Sequence, residues 1–352
     1  MKNLTRRQAL NTFVALGASS VFIGALAGCG NNAGTTNNAA ENGATSTTAT
    51  ENRTAATNEA KKLTVGYLAN IVMPQPLVGF ASGDFGKALP GVELAEKIYP
   101  AGPEVLEALR AGIIDIAYTG PYPPINAYGK AKDVVLLAGA ATGGTEISVR
   151  KDAPYKTIAD LKGKVIGVNQ LGSTVDAMVR FNLINAKLRP GKDVRLIEVK
   201  PAEQADALKR KEVDAVAAPA PWPSQVVVNG EGRPLLDWKQ IQDGGNYLAG
   251  VVFTTKKFAE ANPQLVKNFV AAHRTVTDRL NTDREKGNAE VLAAWSKITK
   301  KTLKPEVAKA AFATIQFTNE ADQKGLERAA DIAFQTGIAK KKADLNGFLY
   351  QP

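Results

Sequence analysis

Short apolar runs and helically spaced apolar positions alternate along the middle of the chain. Runs rich in Val, Ile and Leu predict strands, and apolar residues three or four positions apart predict helices. The predicted strands lie at 63–68, 92–99, 113–118, 134–138, 147–149, 165–168, 194–199, 213–218 and 247–254. Helices are predicted between them at 77–87, 104–110, 157–161, 175–181 and 202–211. This alternation is typical of an α/β fold with largely parallel sheets.

The pattern changes after residue 254, where only helical spacing remains. It predicts helices at 263–280, 288–297, 305–315 and 320–337. Because no alternation of strands and helices is left to build a third lobe, we expect these helices to pack on the first of two lobes. The chain would then cross between the lobes near residues 145–149 and 247–251. Two crossings make a hinge.

A partial internal repeat supports two lobes of similar build. Residues 107–123 and 206–223 both contain a helix, a tight turn, a strand led by Asp and a loop in which an aromatic residue precedes proline. In largely parallel sheets, ligands bind beyond the carboxyl ends of the strands. The proline-rich loops at 69–76, 119–124 and 219–223 follow such strand ends, and we expect the first two in a cleft.

Residues 165–174 form the first candidate for a binding site. A β-branched run at 165–168 is broken at 169–172, and Ser173 or Thr174 can cap the helix that follows. The free backbone N–H groups and the positive end of the helix dipole would suit a small anion. Taken alone, the stretch fits an ordinary strand–turn–helix connection better than a binding site.

Composition limits the chemistry that the chain can perform. With 352 residues, 44% of them hydrophobic, it is long enough for two lobes with their own cores. One cysteine, Cys29, and one histidine, His273, exclude structural disulfides and a Cys/His zinc site. They also leave catalysis of the Ser–His–Asp or Cys–His type without suitable partners. We therefore expect no enzyme, no cofactor and no metal ion.

An enzyme built on paired carboxylates is the alternative that composition leaves open. Its candidates, Asp115, Asp160 and Asp214, stand at turns or strand starts, where a structural role is favoured.

The formal net charge of +10 does not indicate a nucleic-acid partner. Three of the positive charges lie in residues 1–28, which hold no Asp or Glu, so the remaining chain carries +7. Its lysines are scattered over predicted helix surfaces and are not interleaved with aromatic residues. We expect no binding to nucleic acid.

Residues 1–28 have the features of a signal peptide, with a positively charged start and an apolar segment of small residues at 13–27. This segment is too short and too rich in Gly, Ala and Ser for a preferred membrane-spanning helix. It ends in Leu26-Ala27-Gly28-Cys29, which resembles a bacterial lipobox and makes Cys29 the lipidated first residue of the mature protein. Residues 5–10 resemble a twin-arginine signal, but Ala9 replaces the usual Phe, so the general and twin-arginine export routes both stay open.

Residues 29–61 are rich in Asn, Thr, Ala and Gly and lack apolar periodicity. We expect a disordered tether with an end-to-end distance of roughly 30 Å. Such a tether would hold the folded part just off a membrane surface.

Several motifs together resemble one protein family. Residues 160–164 (Asp-Leu-Lys-Gly-Lys) precede Gly172-Ser173-Thr174, residues 112–115 precede Thr119-Gly120-Pro121, and Asp214 precedes Pro221-Trp222-Pro223. Over residues 62–345 the chain resembles the extracytoplasmic solute-binding proteins of ABC importers for nitrate, aliphatic sulfonates and taurine. The resemblance implies a periplasmic-binding-protein fold of type II, with lobe I at 62–146 and 249–352 and lobe II at 147–248.

The same resemblance implies that the two lobes close on a small organic anion and deliver it to an ABC permease. In this family, backbone N–H and hydroxyl groups at helix starts hold the anionic head, and an aromatic residue lies near the ligand tail. The ligand-binding residues that this implies are Asn70, Gln75, Thr119, Gly120, Tyr122, Asn169, Gly172, Ser173, Thr174 and Trp222.

One departure from the family favours an aliphatic sulfonate or a taurine-like ligand. Nitrate and bicarbonate members use a histidine and a lysine in the cleft, whereas His273 lies in a predicted C-terminal helix. Nitrate, bicarbonate or another small anion is the alternative ligand, and a tethered sensor or an enzyme on the same fold is the alternative function. The expected partners are the anion, the permease and the lipid anchor, and the expected state is an extracytoplasmic, membrane-anchored monomer.

Overall fold

The computed structural model of the chain describes residues 60–351. The predicted signal peptide, the predicted lipidation site Cys29 and all but the last two residues of the predicted tether lie outside the described residues. Among residues 60–351, none of the helices combines the length and apolar character needed to cross a bilayer.

Strands and helices alternate through most of this region. The strands are β1 (Lys62–Leu68), β2 (Glu93–Tyr99), β3 (Ile116–Thr119), β4 (Val134–Gly143), β5 (Thr145–Arg150), β6 (Val165–Val168), β7 (Arg195–Glu198), β8 (Ala215–Pro219), β9 (Gly232–Leu236), β10 (Leu248–Thr255) and β11 (Ile315–Phe317). The first helices are α1 (Pro74–Ala81), α2 (Asp84–Ala88), α3 (Gly102–Arg110), α4 (Tyr122–Ala131), α5 (Thr174–Asn185), α6 (Gln204–Lys209), α7 (Trp222–Val228) and α8 (Trp238–Ile241). The remaining helices are α9 (Lys256–Ala261), α10 (Pro263–Thr282), α11 (Arg284–Thr299), α12 (Pro305–Phe312) and α13 (Gln323–Gln335).

The strands form two mixed sheets, one in each lobe. The first sheet has the order β11-β4-β10-β3-β1-β2, and the second has the order β7-β6-β8-β5-β9. Parallel pairs join β1 to β2 and β3, and β6 to β7 and β8. Antiparallel pairs place β10 between β3 and β4, and β5 between β8 and β9. The predicted α/β fold with two lobes is confirmed.

The central strands are buried on both faces, which explains their nearly continuous apolar sequences. In β1, six of the seven residues are buried, and in β10 seven of the eight are buried. The helices of the C-terminal part cover the first sheet, with α10 on α1 and α2 and with α11 on α1. The predicted helical C-terminal part packed on lobe I is therefore confirmed. Two of these helices reach further, because α12 contacts α7 and α13 contacts α5 in lobe II.

The chain passes between the sheets twice. The first passage, at Gly143 and Gly144, uses backbone φ angles of 77° and 80°, which favour glycine. The second lies between the end of β9 and the start of β10. The hydroxyl of Tyr247 joins the two passages, because it accepts from the Thr145 N–H at 3.1 Å and donates to the Thr145 carbonyl at 3.3 Å. The lobe limits at 146/147 and 248/249 stay predictions.

Three expectations about local structure were wrong because proline was taken to exclude a helix. The loops predicted at 69–76, 119–124 and 219–223 contain the starts of α1, α4 and α7. Each of these helices has proline at its first or second position, where the missing N–H breaks no helical hydrogen bond.

Further elements differ from the sequence-based expectation. The helix predicted at 77–87 is divided at Gly83, whose φ of 73° is left-handed. The helix predicted at 305–315 ends at Phe312, and the next residues form β11 along the edge of β4. Strand β9, which was not predicted, is an edge strand and can therefore carry Pro234.

Candidate ligand-binding site between the lobes

The start of α5 is shaped by a chain of polar contacts. Ser173 is the N-cap, and its hydroxyl accepts from the Asp176 N–H at 3.3 Å and donates to Asn169 Oδ1 at 2.8 Å. Gly172 donates its N–H to Asp176 Oδ2 at 2.8 Å and has a φ of 79°. These bonds fix the turn after β6. Of the two residues predicted as possible caps, Ser173 is the cap and Thr174 is the first residue of α5.

Thr174 is that first residue, and its hydroxyl differs from the hydroxyl of Ser173. Its side chain is buried, with 8% of the residue exposed, and its Oγ1 has no hydrogen-bond partner among the described residues. Leaving a hydroxyl buried without a partner costs about 1–3 kcal/mol. The Thr174 hydroxyl lines a cavity between the lobes, where a ligand oxygen can be its partner.

Gly120 faces Thr174 from the other lobe, at the connection between β3 and α4. A Cβ atom built on Gly120 would overlap the Thr174 hydroxyl oxygen and would lie 2.6 Å from Thr174 Cβ. No side chain larger than hydrogen fits at this contact. The lobes also meet where Gln170 Nε2 donates to Glu104 Oε1 at 3.4 Å. The structure therefore holds the two lobes in contact across the cleft.

We call this space the inner cavity, and it has a free volume of about 30 Å³. That volume holds about two water-sized groups. Among the described residues that line it, none carries a formal charge. Its walls are formed by Leu68, Asn70, Val72, Met73, Gly102, Gly120, Pro123, Thr145, Asn169, Ser173, Thr174, Val175, Pro219 and Ala249.

Four helices begin at the wall of the inner cavity. Met73 is the N-cap of α1, Gly102 opens α3, Gly120 lies just before α4, and Ser173 caps α5. Helix starts carry partial positive charge and free N–H groups, both of which stabilise an anion. The inner cavity thus provides a positive potential without any cationic side chain. Its backbone donors come only from residues other than proline, because α1, α3 and α4 each have proline at the first or second position and proline has no N–H.

A second space, which we call the outer chamber, lies next to the inner cavity and has a volume of about 190 Å³. The two spaces share Leu68, Asn70, Asn169 and Pro219 as walls. The outer chamber is completed by Ala69, Tyr99, Pro100, Lys200, Pro201, Ala202 and Trp222.

The aromatic wall of the outer chamber is braced by the C-terminal helices. The Trp222 ring packs edge-on against Trp295, with 6.1 Å between the ring centroids, and Lys301 Nζ lies 5.4 Å from the Trp222 centroid. Trp295 is fully buried and donates its indole N–H to the carbonyl of Ala69, which is itself a wall of the chamber.

The structure brings six of the ten predicted ligand-binding residues to these spaces. Asn70, Gly120, Asn169, Ser173 and Thr174 line the inner cavity, and Asn70, Asn169 and Trp222 line the outer chamber. Asn70 is buried and its Oδ1 accepts from the Val72 N–H at 3.0 Å.

The other four predicted residues do not line either space. Gln75 is fully buried, and its Nε2 donates to the Ala140 carbonyl and to Thr277 Oγ1, both at 2.9 Å. The Thr119 hydroxyl donates to the Gly120 carbonyl at 2.7 Å, and the Gly172 N–H donates to Asp176 Oδ2. Tyr122 is buried, which raises the pKa of its hydroxyl well above the ordinary range.

The sequence interpretation missed two groups of lining residues. Val72 and Met73 precede α1 in a stretch predicted as a loop, and Gly102 opens α3 two residues before the predicted helix at 104–110. Lys200 and Tyr99 of the outer chamber follow or end parallel strands, β7 and β2. The rule that ligands bind at the carboxyl ends of parallel strands could have pointed to both.

His273 lies in α10 and is fully buried, away from both spaces. Its Nε2 donates to the Gly139 carbonyl at 2.8 Å, so its Nδ1 accepts from the Tyr118 hydroxyl, also at 2.8 Å. Burial lowers the pKa of His273 to about 4. The side chain is therefore neutral at pH 7 and holds three elements of lobe I together.

The three carboxylates considered for catalysis bind backbone or hydroxyl groups outside the cleft. Asp115 accepts from the Thr64 N–H at 2.7 Å, and Asp214 accepts from the Val165 N–H at 3.0 Å and from Tyr155 at 2.8 Å. Asp160 accepts from two N–H groups at 2.8 Å in a capping box. Within residues 60–351, no group of three or more His, Cys, Asp or Glu is arranged to hold a metal ion.

Comparison with known sequences assigns the family. The model of the NMT1-like family matches residues 56–297. The chain belongs to the NMT1-like family.

This NMT1-like chain has relatives among solute-binding proteins. A protein of Escherichia coli K12, named as a candidate aliphatic sulfonates-binding protein, is 27% identical over 289 residues, which cover 78% of this chain and 88% of that protein. The nitrate/nitrite binding protein NrtA of Nostoc is 26% identical over 246 residues, which cover 64% of this chain and 56% of that protein. These relatives agree with the family that the sequence motifs resemble.

Solved structures confirm the periplasmic-binding-protein fold. The alkanesulfonate-binding protein SsuA of Xanthomonas axonopodis pv. citri, solved with bound MOPS, superimposes with a TM-score of 0.70 at 22% identity. The superposition covers 84% of this chain and 99% of that protein.

Proposed function

We propose that this protein is the extracytoplasmic solute-binding component of an ABC importer and captures a small organic anion, an aliphatic sulfonate or a taurine-like compound. The observation that carries the proposal is the inner cavity, where the unpartnered Thr174 hydroxyl and the starts of four helices converge. The names of the relatives support the same class of ligand.

The chemistry of the inner cavity suits the head of such a ligand. The three oxygens of a sulfonate accept hydrogen bonds in a tetrahedral arrangement, so donors must come from several directions. Helix starts in both lobes and the Thr174 hydroxyl supply donors from different sides. Hydrogen bonds to a charged group contribute about 1.5–3 kcal/mol each, which offsets the loss of the ligand's hydration.

Binding is coupled to closure of the lobes because each lobe supplies only part of the wall. Thr174 and Ser173 belong to lobe II, whereas Gly120 and Gly102 belong to lobe I. A ligand that contacts both walls binds the closed form more tightly than the open form and shifts the population toward it. The permease can then distinguish a loaded protein from an empty one by its shape.

A smaller anion such as nitrate is the second candidate for the same site. The inner cavity is small, at about 30 Å³, and the Nostoc relative is named for nitrate and nitrite. The outer chamber favours the sulfonate, because its aromatic and proline walls would contact nothing when a tail-less anion binds.

The proposal includes a membrane anchor through Cys29, which rests on the lipobox resemblance alone. The mass of the N-terminal peptide of the mature protein checks it, since a lipid on Cys29 adds a defined mass and an unmodified cysteine contradicts the anchor.

Isothermal titration calorimetry of the purified protein tests the ligand class. Ethanesulfonate, propanesulfonate, taurine, nitrate, bicarbonate and methylphosphonate are titrated under the same conditions. We expect heat and saturation with the sulfonates. Binding of nitrate or bicarbonate alone would select the second candidate, and binding of a neutral or cationic solute without any anion would overturn the proposal.

A further inference from the structure

The outer chamber differs chemically from the inner cavity, because it contains a cationic side chain. Lys200 lies two residues after the end of β7 and is one of the lining residues of the chamber. The head of the proposed ligand, held in the inner cavity, does not use this side chain. The Lys200 side chain would therefore interact with the tail of the ligand.

The Lys200 ammonium is available to a ligand. No ion pair among residues 60–351 includes it. None of the described residues that line the outer chamber is Asp or Glu. Lys301, at the Trp222 ring, adds a second positive charge close to the same wall.

The two spaces are adjacent, because they share four wall residues, and a linear ligand that has its head in the inner cavity and spans both spaces would bring its tail toward Lys200. An apolar tail would leave the ammonium without a partner and reduce its hydration. A cationic tail, such as the amine of taurine, would be repelled. An anionic tail would pair with Lys200, and this pairing is stronger in a partly enclosed space than in open water.

We propose that the preferred ligand carries a second anionic group on its tail, as in a sulfocarboxylate, and that Lys200 selects for this group. Tyr99 and Trp222 provide an apolar surface for the short spacer between the two anionic groups. The inference rests on the proposed function, since it places the sulfonate head in the inner cavity.

Matched ligands that differ only in the tail test this selection. Calorimetry compares sulfoacetate, ethanesulfonate and taurine, and then sulfopropanoate, propanesulfonate and aminopropanesulfonate. We expect the carboxylate member of at least one series to bind about threefold to tenfold more tightly than its alkyl analogue, with the amine weakest. The preference decreases as salt is raised, because the chamber is open to solvent.

Two variants test whether Lys200 causes the preference for a carboxylate tail. Lys200→Gln brings the ratio of dissociation constants between carboxylate and alkyl ligands close to one, and Lys200→Glu reverses the preference in favour of the amine. Lys192→Gln is the matched control, because Lys192 is an exposed lysine of lobe II that lines neither space. The control keeps the ratio of the unsubstituted protein.

The outcomes separate this inference from the proposed function. If alkyl sulfonates bind and carboxylate tails give no advantage in either series, the selection by Lys200 is overturned and the sulfonate function stands. An unchanged ratio in Lys200→Glu has the same meaning. If no sulfonate binds, with or without a second charge, the proposed function fails and this inference fails with it.

Discussion

The two walls of the inner cavity offer hydrogen bonds in different ways. Lobe II presents the start of α5, which has its own cap in Ser173 and a free hydroxyl in Thr174. Lobe I presents the starts of α1, α3 and α4, each with proline in its first two positions. None of these three starts receives a side-chain cap from the described part of the chain.

Because of this difference, substitutions in the two lobes are expected to change ligand binding in different ways. A side-chain hydroxyl can be replaced, so lobe II can adjust affinity by substitution. Backbone N–H groups and helix dipoles depend little on side chains, so lobe I provides a nearly fixed positive potential. In lobe I, substitution acts mainly through shape, and of the two glycines that line the inner cavity, Gly102 and Gly120, Gly120 has less space for a side chain.

The largest effect is expected from Gly120→Val, which places methyl groups where Thr174 lies in the closed form. Overpacking of this kind costs about 1–3 kcal/mol, and here the cost falls on closure. We expect binding of the sulfonate to weaken by about tenfold or more, measured by calorimetry. The melting temperature without ligand changes little, because the clash is between lobes.

Gly86→Ala is the matched control, since a Cβ atom at Gly86 has nothing within 4 Å. It leaves binding at the original level. Normal affinity in Gly120→Val would mean that the contact between Gly120 and Thr174 does not belong to the ligand-bound form.

The next effect concerns the two hydroxyls of lobe II. Thr174→Val keeps the shape and removes the unpartnered hydroxyl, so we expect a loss of about 1–3 kcal/mol in binding. The free protein keeps or gains stability. Ser173→Ala, by contrast, removes a cap and lowers the free energy of unfolding by about 1 kcal/mol. Calorimetry and thermal melts measure the two quantities separately.

Ser148→Ala is the control for the Thr174 variant. Ser148 also has a buried hydroxyl without a partner among the described residues, but it does not line the cavity. Its substitution does not change binding. If Thr174→Val binds the ligand as well as the control does, the head group lies elsewhere.

Substitution of Glu146, at the passage into lobe II, is expected to have the smallest effect on binding. Its main effect is on the pH dependence of stability. Burial and the nearby Asp237 raise the pKa of Glu146 to about 7, against a partial lowering by the Trp238 N–H. Between pH 4.5 and about 7 the folded protein binds more protons than the unfolded chain, so its stability falls as the pH rises. Stability is then constant above this range.

Glu146→Gln removes this dependence. The free energy of unfolding of the variant minus that of the unsubstituted protein is expected to rise by about 1 kcal/mol or more from pH 5 to pH 8. This rise corresponds to roughly 2–4 °C in melting temperature. An equal difference in melting temperature between the variant and the unsubstituted protein at pH 5 and pH 8 would contradict the raised pKa of Glu146.

The sequence was sufficient for elements that are specified locally. The β-branched run of β6 and the Ser cap of α5 were predicted at their observed positions, because both depend on neighbouring residues. Strand β11 was missed, since its three residues are extended only because β4 offers an edge. The starts of α1, α4 and α7 were missed because their prolines were interpreted as loop residues, whereas proline is excluded from helix interiors but not from helix starts.

The same distinction applies to the site. Ser173 was predicted from its position before a helix, whereas the lack of a partner for Thr174 becomes visible only when both lobes are present. Gln75 was expected in a cleft loop, but α1 turns it into the core. Lys200 lies outside the repeated aromatic–proline pattern, and apart from Pro201 and Ala202 the residues that line the chamber with it come from distant segments of the chain.

The contact between Trp222 and Trp295 is an intrinsic fluorescence probe of the arrangement of the two lobes. Trp222 starts α7 beside the second sheet, and Trp295 is buried in α11 against lobe I, with 6.1 Å between the rings. Any rotation that opens the outer chamber must separate the two indoles and admit water to Trp222. Intrinsic fluorescence therefore follows the lobes directly, without a dye and without a label.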